Sequence, residues 1–218
     1  EIIVTNPPFS LFREFIELIA FYNKDFLIIG NTNALTYKEV FKLFQENRMR
    51  TGYTSFNVGM FFRIPDSYEK YTKIENGVKM ARVSTSCWFT SLPVRKHNEE
   101  LDLFKRYKNH ENEYPKYANF DGINVDTYKN IPCDYDGVMG VPITFLDKYN
   151  PNQFEIIGLS HGNMGQTLGV SANLTEAQCI EYKKKNKAFR KGFVCYINEN
   201  GDLIVPYMRI LIKRKGDF

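Results

Sequence analysis

The sequence predicts an α/β protein in two parts: a parallel-sheet region over residues 1–94, then a smaller α+β region over residues 95–218. Three observations carry this. Short apolar runs alternate with segments of helical period in the first fifty residues, the rhythm of strands joined by helices. Strand-like runs separated by the turn dipeptide Asn76-Gly77 follow, which mark antiparallel pairing. Beyond residue 95 the pattern is mixed and rich in Tyr, Asn and Asp before strand-like runs return.

Taken in order, residues 2–4 predict a short buried strand. Pro7 and Pro8 remove two backbone donors and push Asn6 towards extended geometry, so regular structure stops there. Ser10 is a candidate N-cap for a helix whose apolar face would be Leu11, Phe12, Phe15, Leu18 and Ile19. Residues 26–29 predict the next strand. Thr36 and Glu39 match a capping box, and Val40, Phe41, Leu43 and Phe44 predict a second helix to about Asn47.

Residues 58–64 and 80–90 predict an antiparallel pair at a sheet edge, with Asn76-Gly77 in the connection. Trp88 and Phe89 are expected in the core, and Thr90 and Ser91 at the strand end beside Asn6. A charged helix is expected over residues 98–108 and an apolar strand over 154–159, followed by a loop containing Gly162, Gly165 and Gly169. Thr175 and Gln178 suit the start of a helix over residues 174–188. Residues 192–197, the Asn200-Gly201 turn and residues 203–212 predict a terminal hairpin.

A chain of 218 residues with 43% hydrophobic side chains can bury a real core. No apolar run approaches the ~18 residues of a membrane span, so no membrane partner is expected and a cytoplasmic location follows by default. Cys87, Cys133, Cys179 and Cys195 are far apart, and His97, His110 and His161 stand alone, so no metal site is signalled and reduced thiols are expected. The first residue is Glu1 and opens directly into an apolar run, which predicts the interior of a longer protein.

The net charge of +4 is only mildly basic, but its distribution is uneven. Lys183, Lys184, Lys185, Lys187, Arg190 and Lys191 crowd together and are candidates to neutralise phosphates; the plain alternative is the solvated face of a helix. Asn163 and Gln166, in the glycine-rich loop, are side chains suited to reading base edges. Arg48, Arg50, Arg95 and Lys96 are candidates to line a nucleic-acid cleft.

The sharpest signal is Asn6-Pro7-Pro8-Phe9, reached straight from the apolar run before it. Ligands of open α/β sheets bind beyond the carboxyl ends of strands, where this tetrapeptide would sit. Its chemistry suits a flat ring bearing an amino group. The exocyclic nitrogen of adenine is a poor nucleophile because its lone pair is delocalised into the ring. The Asn6 side-chain oxygen and the Pro7 carbonyl would accept its two hydrogens and favour the pyramidal, more nucleophilic form. Pro8 stiffens the loop, and Phe9 offers a face on which an unstacked base can lie. A base in duplex DNA reaches such a pocket only by leaving the helix. The plain alternative is a strand-to-helix turn with Phe9 tucked into the core.

The segment resembles the catalytic motif of amino-group methyltransferases that use S-adenosylmethionine. Longer stretches narrow the resemblance: Asn6-Pro-Pro-Phe-Ser-Leu-Phe-Arg, Asn31-Thr-Asn-Ala-Leu, Cys87-Trp-Phe-Thr-Ser-Leu, Asp136-Gly-Val-Met-Gly-Val-Pro-Ile-Thr-Phe-Leu-Asp-Lys-Tyr-Asn-Pro and Arg209-Ile-Leu-Ile-Lys-Arg-Lys resemble the EcoRI-type adenine-specific DNA methyltransferases. The resemblance implies the C-terminal half of a Rossmann-like methyltransferase sheet, then a smaller α+β DNA-recognition region. It further implies S-adenosylmethionine as cofactor, double-stranded DNA as partner, and methyl transfer to adenine N6, as in restriction-modification systems.

The family's glycine-rich cofactor loop should precede Asn6, so the main cofactor residues are expected upstream of Glu1 and the chain alone is expected to be inactive. The only internal substitute is the stretch from Gly158 to Gly169, where a strand leads into closely spaced glycines. Two other readings stay open: a methyltransferase acting on RNA or protein glutamine, and a non-catalytic DNA-binding or assembly fragment.

Overall fold

In the computed structural model, which describes residues 1–170, 175, 180, 182, 184 and 191–216, the chain divides into two units, Glu1–Lys96 and His97–Phe218. The second, expected to be the smaller, is the longer of the two.

The first unit runs β1 (Ile2–Thr5), α1 (Phe12–Phe21), β2 (Asp25–Asn31), α2 (Lys38–Gln45), β3 (Arg50–Thr51), β4 (Met60–Arg63), β5 (Lys73–Glu75), β6 (Val78–Val83) and β7 (Ser86–Thr90). Its main sheet has the order β1-β2-β7-β3, with β1 parallel to β2 and β7 antiparallel to both neighbours. Both helices pack on the face bearing Phe26, Ile28 and Phe89: the Phe12 and Phe44 rings stand 5.5 and 6.3 Å from that of Phe89. Successive strand residues point to opposite faces, so Ile2 and Val4 face the other way, where the helices do not cover them. They are 50% and 67% exposed, and the strand expected to be buried is an edge strand with one open face.

Several local expectations are corrected here. Ser10 caps nothing: residues Phe9–Leu11 form a 3-10 turn, and α1 starts at Phe12 with no side-chain cap. That late start turns the buried face to Phe12, Ile16 and Ile19, leaving Leu11 and Leu18 exposed. Thr36 does not cap α2 either, because its hydroxyl donates to the Asn33 carbonyl (2.8 Å) and closes a 3-10 turn over Thr32–Thr36. Residues 80–90 are two strands. The first, β6, joins a separate sheet of order β4-β6-β5, in which Asn76-Gly77 links β5 to β6, and β7 returns to the main sheet.

The second unit contains β8 (Ile123–Asn124), β9 (Met139–Pro142), β10 (Phe154–Leu159), α3 (Gly162–Thr167), β11 (Tyr196–Ile197), β12 (Leu203–Ile204) and β13 (Arg209–Arg214). Its sheet has the order β10-β13-β9-β8 and buries Met139, Val141, Phe154, Ile156, Ile210 and Ile212. The expected hairpin exists only as β11-β12: the run over residues 203–212 breaks at Pro206, and β13 pairs with β10 and β9 instead. No helix forms over residues 98–108, because its backbone groups find distant partners. Leu101 exchanges hydrogen bonds with the Gln153 amide (2.8 Å each), and the Tyr107 and Lys108 N–H groups donate to the Asp134 carboxylate (2.6 and 3.3 Å). Of the helix expected over residues 174–188, most lies outside the described residues; Ile180, Tyr182 and Lys184 are helical.

Candidate functional site

The site is built at the rim of the main sheet where β1 and β2 end. β1 carries the chain to Asn6, and Pro7 is buried, which anchors the loop. Pro8, at φ −56° and ψ 126°, holds an extended conformation, and its carbonyl accepts the Leu11 N–H (3.0 Å) to close the turn into α1. The turn makes no use of the Pro7 carbonyl. The Asn6 side chain is exposed, and no hydrogen bond within the described residues engages its amide. Phe9 is 38% exposed, neither sealed in the core nor free of it.

The antiparallel course of β7 decides which residues share this rim. Asn31, the last residue of β2, pairs with Ser86, the first of β7, and the Thr32 N–H donates to the Thr85 carbonyl (2.7 Å). The Asn31 side chain accepts the Asn33 N–H (2.9 Å), which fixes the turn that follows β2. Asn31, on the strand next to β1, and Thr85 and Ser86, one strand beyond, therefore share the rim that carries the Asn6 loop.

Thr90 and Ser91, expected beside Asn6, lie at the opposite rim, because β7 runs against β2 and ends level with Leu27. There the Thr90 hydroxyl donates to the Phe26 carbonyl (2.7 Å), and the Ser91 hydroxyl accepts the Phe26 N–H (2.9 Å). Arg48 and Arg50 belong to that rim too. Arg48 donates to the Ala20 carbonyl at the end of α1 (2.7 Å) and lines a cavity of about 270 Å³ with Asn23, Lys24, Asp25 and Ser91, and Arg50 is level with Thr90. Sequence alone does not separate the two rims, since the break between β6 and β7 at Ser84-Thr85 carries neither Gly nor Pro.

In the second unit, Asn163 and Gln166 are both exposed, three residues apart on α3. The glycine-rich stretch is thus a short helix, not a loop. Gly165 serves close packing, since a β-carbon on it would run into the Gly192 carbonyl, and one on Gly192 into the Gly162 backbone, whereas Gly162 and Gly169 face open space. Space filled by the chain's own backbone is no cradle for a cofactor. Lys184 and Lys191 are exposed, while Lys183, Lys185, Lys187 and Arg190 lie outside the described residues.

Among the described residues, no group of three or more His, Cys, Asp and Glu side chains is placed to hold a metal ion, and no helix is long and apolar enough to cross a membrane. Among the described residues, Cys87, Cys133 and Cys195 are not joined in disulfides.

Comparison with known proteins gives a consistent result. The family described as adenine-specific methyltransferase EcoRI matches residues 1–215. The Type II methyltransferase M.EcoRI of Escherichia coli is 47% identical over 195 residues, which cover 88% of this chain and 59% of that protein. The Type II methyltransferases M.MgeORF184P of Mycoplasma genitalium and M.MpnI of Mycoplasma pneumoniae are 42% and 41% identical over 163 residues, 72% of this chain and 51% of each relative. The chain therefore spans between 51% and 59% of the length of these curated relatives. No solved structure matches.

Proposed function

The chain belongs to the EcoRI-type family of adenine-specific methyltransferases, and on that premise we propose that it supplies the target-amine site of a site-specific DNA adenine-N6 methyltransferase in a restriction-modification system. One observation carries the reading. An exposed Asn6 amide with no partner among the described residues stands at a strand's carboxyl end, followed by a buried proline and, two residues further on, a partly exposed aromatic ring.

The Asn6 side-chain oxygen and the Pro7 carbonyl accept the two hydrogens of the adenine amine. Positive charge grows on that nitrogen as it becomes a nucleophile, so two fixed acceptors stabilise the transition state more than the ground state. Phe9 stacks on the flipped base, and Pro8 keeps the acceptors aimed without an ordering cost at each turnover. S-adenosylmethionine, the donor that the family implies, supplies an electrophilic methyl group. The glycine-rich stretch from Gly158 to Gly169 offers it no cradle at Gly165, where the Gly192 backbone fills the space, and the chemistry derived for this chain is that of the acceptor amine.

We read residues 1–94 as half of a Rossmann-like sheet and residues 95–218 as the target-recognition region that meets double-stranded DNA. The apolar face carrying Ile2, Val4, Leu27, Ile29 and Trp88, which α1 and α2 leave uncovered, supports the half-sheet reading, since doubly wound sheets carry helices on both faces. The division of the chain between Lys96 and His97 supports the boundary. Exposed Asn163, Gln166, Lys184 and Lys191 are consistent with a nucleic-acid surface.

The test uses Asn6→Ala in the protein that carries this chain. Labelled-methyl transfer from S-adenosylmethionine to duplex DNA should fall by about 100-fold or more, the usual effect of removing one preorganised polar contact from a transition state. The melting temperature should stay unchanged, because the amide makes no hydrogen bond among the described residues. Near-normal turnover on DNA rejects the assignment, and transfer to RNA or protein in preference to DNA redirects it.

A further inference from the structure

The β4-β6-β5 sheet is inserted between β3 and β7, and the register shows from which rim it leaves. β3 runs antiparallel to β7, with Arg50 opposite Thr90, Thr51 opposite Phe89, and the Gly52 N–H donating to the Trp88 carbonyl (2.8 Å). The chain after β3 is thus heading towards the Ser86 end of β7, and β6 returns through Ser84-Thr85 directly into Ser86. Asn31 pairs with Ser86, so both feet of the insertion stand on the rim that carries Asn6.

The insertion is built as an arm, not as a layer of core. None of its strand residues is buried. Residues paired across an antiparallel ladder share a face, and side chains alternate along each strand. Phe61 pairs with Arg82, Arg63 with Met80, Lys73 with Met80 and Glu75 with Val78, which puts three cations, one carboxylate and an aromatic ring on one face. The Lys73 ammonium lies 4.4 Å from the Phe61 ring centroid and 2.9 Å from Glu75. Arg82 is braced by donation from Nε to the Val58 carbonyl (2.8 Å), and Arg63 is exposed.

We propose that this arm is a second DNA-contacting surface of the site: its Phe61, Arg63, Lys73 and Arg82 face lies against the phosphate backbone of the duplex beside the flipped adenine. The inference rests on the DNA reading of the Asn6 rim. With three cations and one carboxylate, the charge of the face is complementary to phosphate. Both feet of the arm stand on the Asn6 rim, so a duplex held there is the partner nearest to this face.

Two measurements on the whole protein test it. In the double variant Arg63→Gln/Lys73→Gln, duplex affinity should weaken by about tenfold, and the slope of log K against log salt should become shallower by about 0.9 for each phosphate that is no longer neutralised. In the unaltered protein, acetylation of Lys73 should slow several-fold when duplex DNA is added, while Lys24, at the opposite rim, reacts as before. Unchanged affinity, slope and Lys73 reactivity in a protein that does bind duplex DNA overturns the arm and leaves the Asn6 reading intact. Failure of the unaltered protein to bind duplex DNA overturns both. Protection of Lys73 by an RNA duplex and not by DNA assigns the face to RNA and overturns the proposal.

Discussion

Gly30 faces Phe12 so closely that a β-carbon built on it would stand 2.6 Å from Cζ of that ring and 2.8 Å from the Phe89 ring. The two rings come from α1 and β7, so Gly30 sets how near the helix that follows Asn6 can lie to the sheet. Gly30→Ala would push Phe12 outward. Overpacking of this kind costs about 1–3 kcal/mol, and the displacement would travel along the short turn from Phe12 back to Phe9. We expect a lower melting temperature together with weakened methyl transfer. Unchanged stability by thermal unfolding would show that the rings reorient freely.

Phe9 separates binding from folding. The ring is 38% exposed, so its removal costs the core less than the loss of a fully buried phenylalanine, about 3–5 kcal/mol, would. On the proposed function it stacks on the target base, an interaction worth about 1–3 kcal/mol. Phe9→Ala should therefore weaken transition-state capture by about 5- to 150-fold, seen in kcat/KM for duplex DNA, with only a modest fall in melting temperature. Phe9→Tyr, which keeps a ring, should recover most of the activity. A large drop in stability with full activity in the folded fraction would make Phe9 a core residue.

The local rules that were legible in the sequence concern covalent geometry and short apolar runs. Two prolines after an apolar strand stop regular structure wherever they occur, and the Asn6 loop follows from them. The strand Phe154–Leu159 has the bounds that its apolar run suggests. What failed depended on partners far along the chain. Residues 98–108 carry the composition of a charged helix, yet their donors go to Asp134 and Gln153, which no local pattern announces. Residues 80–90 look like one strand because the switch from β6 to β7 uses Ser84 and Thr85, and that switch alone decides whether Thr90 or Ser86 shares the rim of Asn6. Residues 203–212 did carry a warning in Pro206, which cannot donate to a ladder.

Asn119 sits in the stretch rich in Tyr, Asn and Asp, and it is fully buried. Its Nδ2 donates to the Phe193 carbonyl and its Oδ1 accepts the Cys195 N–H, both at 2.9 Å, while the Ala118 N–H donates to the Cys195 carbonyl at 2.7 Å. The side chain stands in for a strand partner to residues 193–195. Asn119→Ala leaves a buried carbonyl and a buried N–H without partners, at about 1–3 kcal/mol for each. The urea midpoint should drop by the corresponding amount. Asn119→Asp should also destabilise, since it keeps the acceptor for Cys195 but replaces the donor with a buried charge. A midpoint unchanged in both variants would mean that water takes over these bonds.

Two tyrosines of the second unit should set an alkaline limit on its stability. Burial pushes the Tyr149 phenol up to about 12, with the Glu155 carboxylate adding to the effect, and burial raises Tyr117, whose hydroxyl donates to Asn124 Oδ1 (3.2 Å), still further. In the unfolded chain a tyrosine ionises near 10. A phenol whose folded-state value is raised contributes its full stabilisation below pH 10 and loses it as pH climbs through 12, because the unfolded state releases the proton first. Tyrosinate absorbance should therefore show a delayed component in the folded protein that merges with the main transition in denaturant. Tyr149→Phe removes one group that must ionise on unfolding, so it should shift alkaline unfolding to higher pH. A single tyrosinate transition near pH 10 in the folded protein, with the alkaline limit unmoved by Tyr149→Phe, would mean that both hydroxyls reach water.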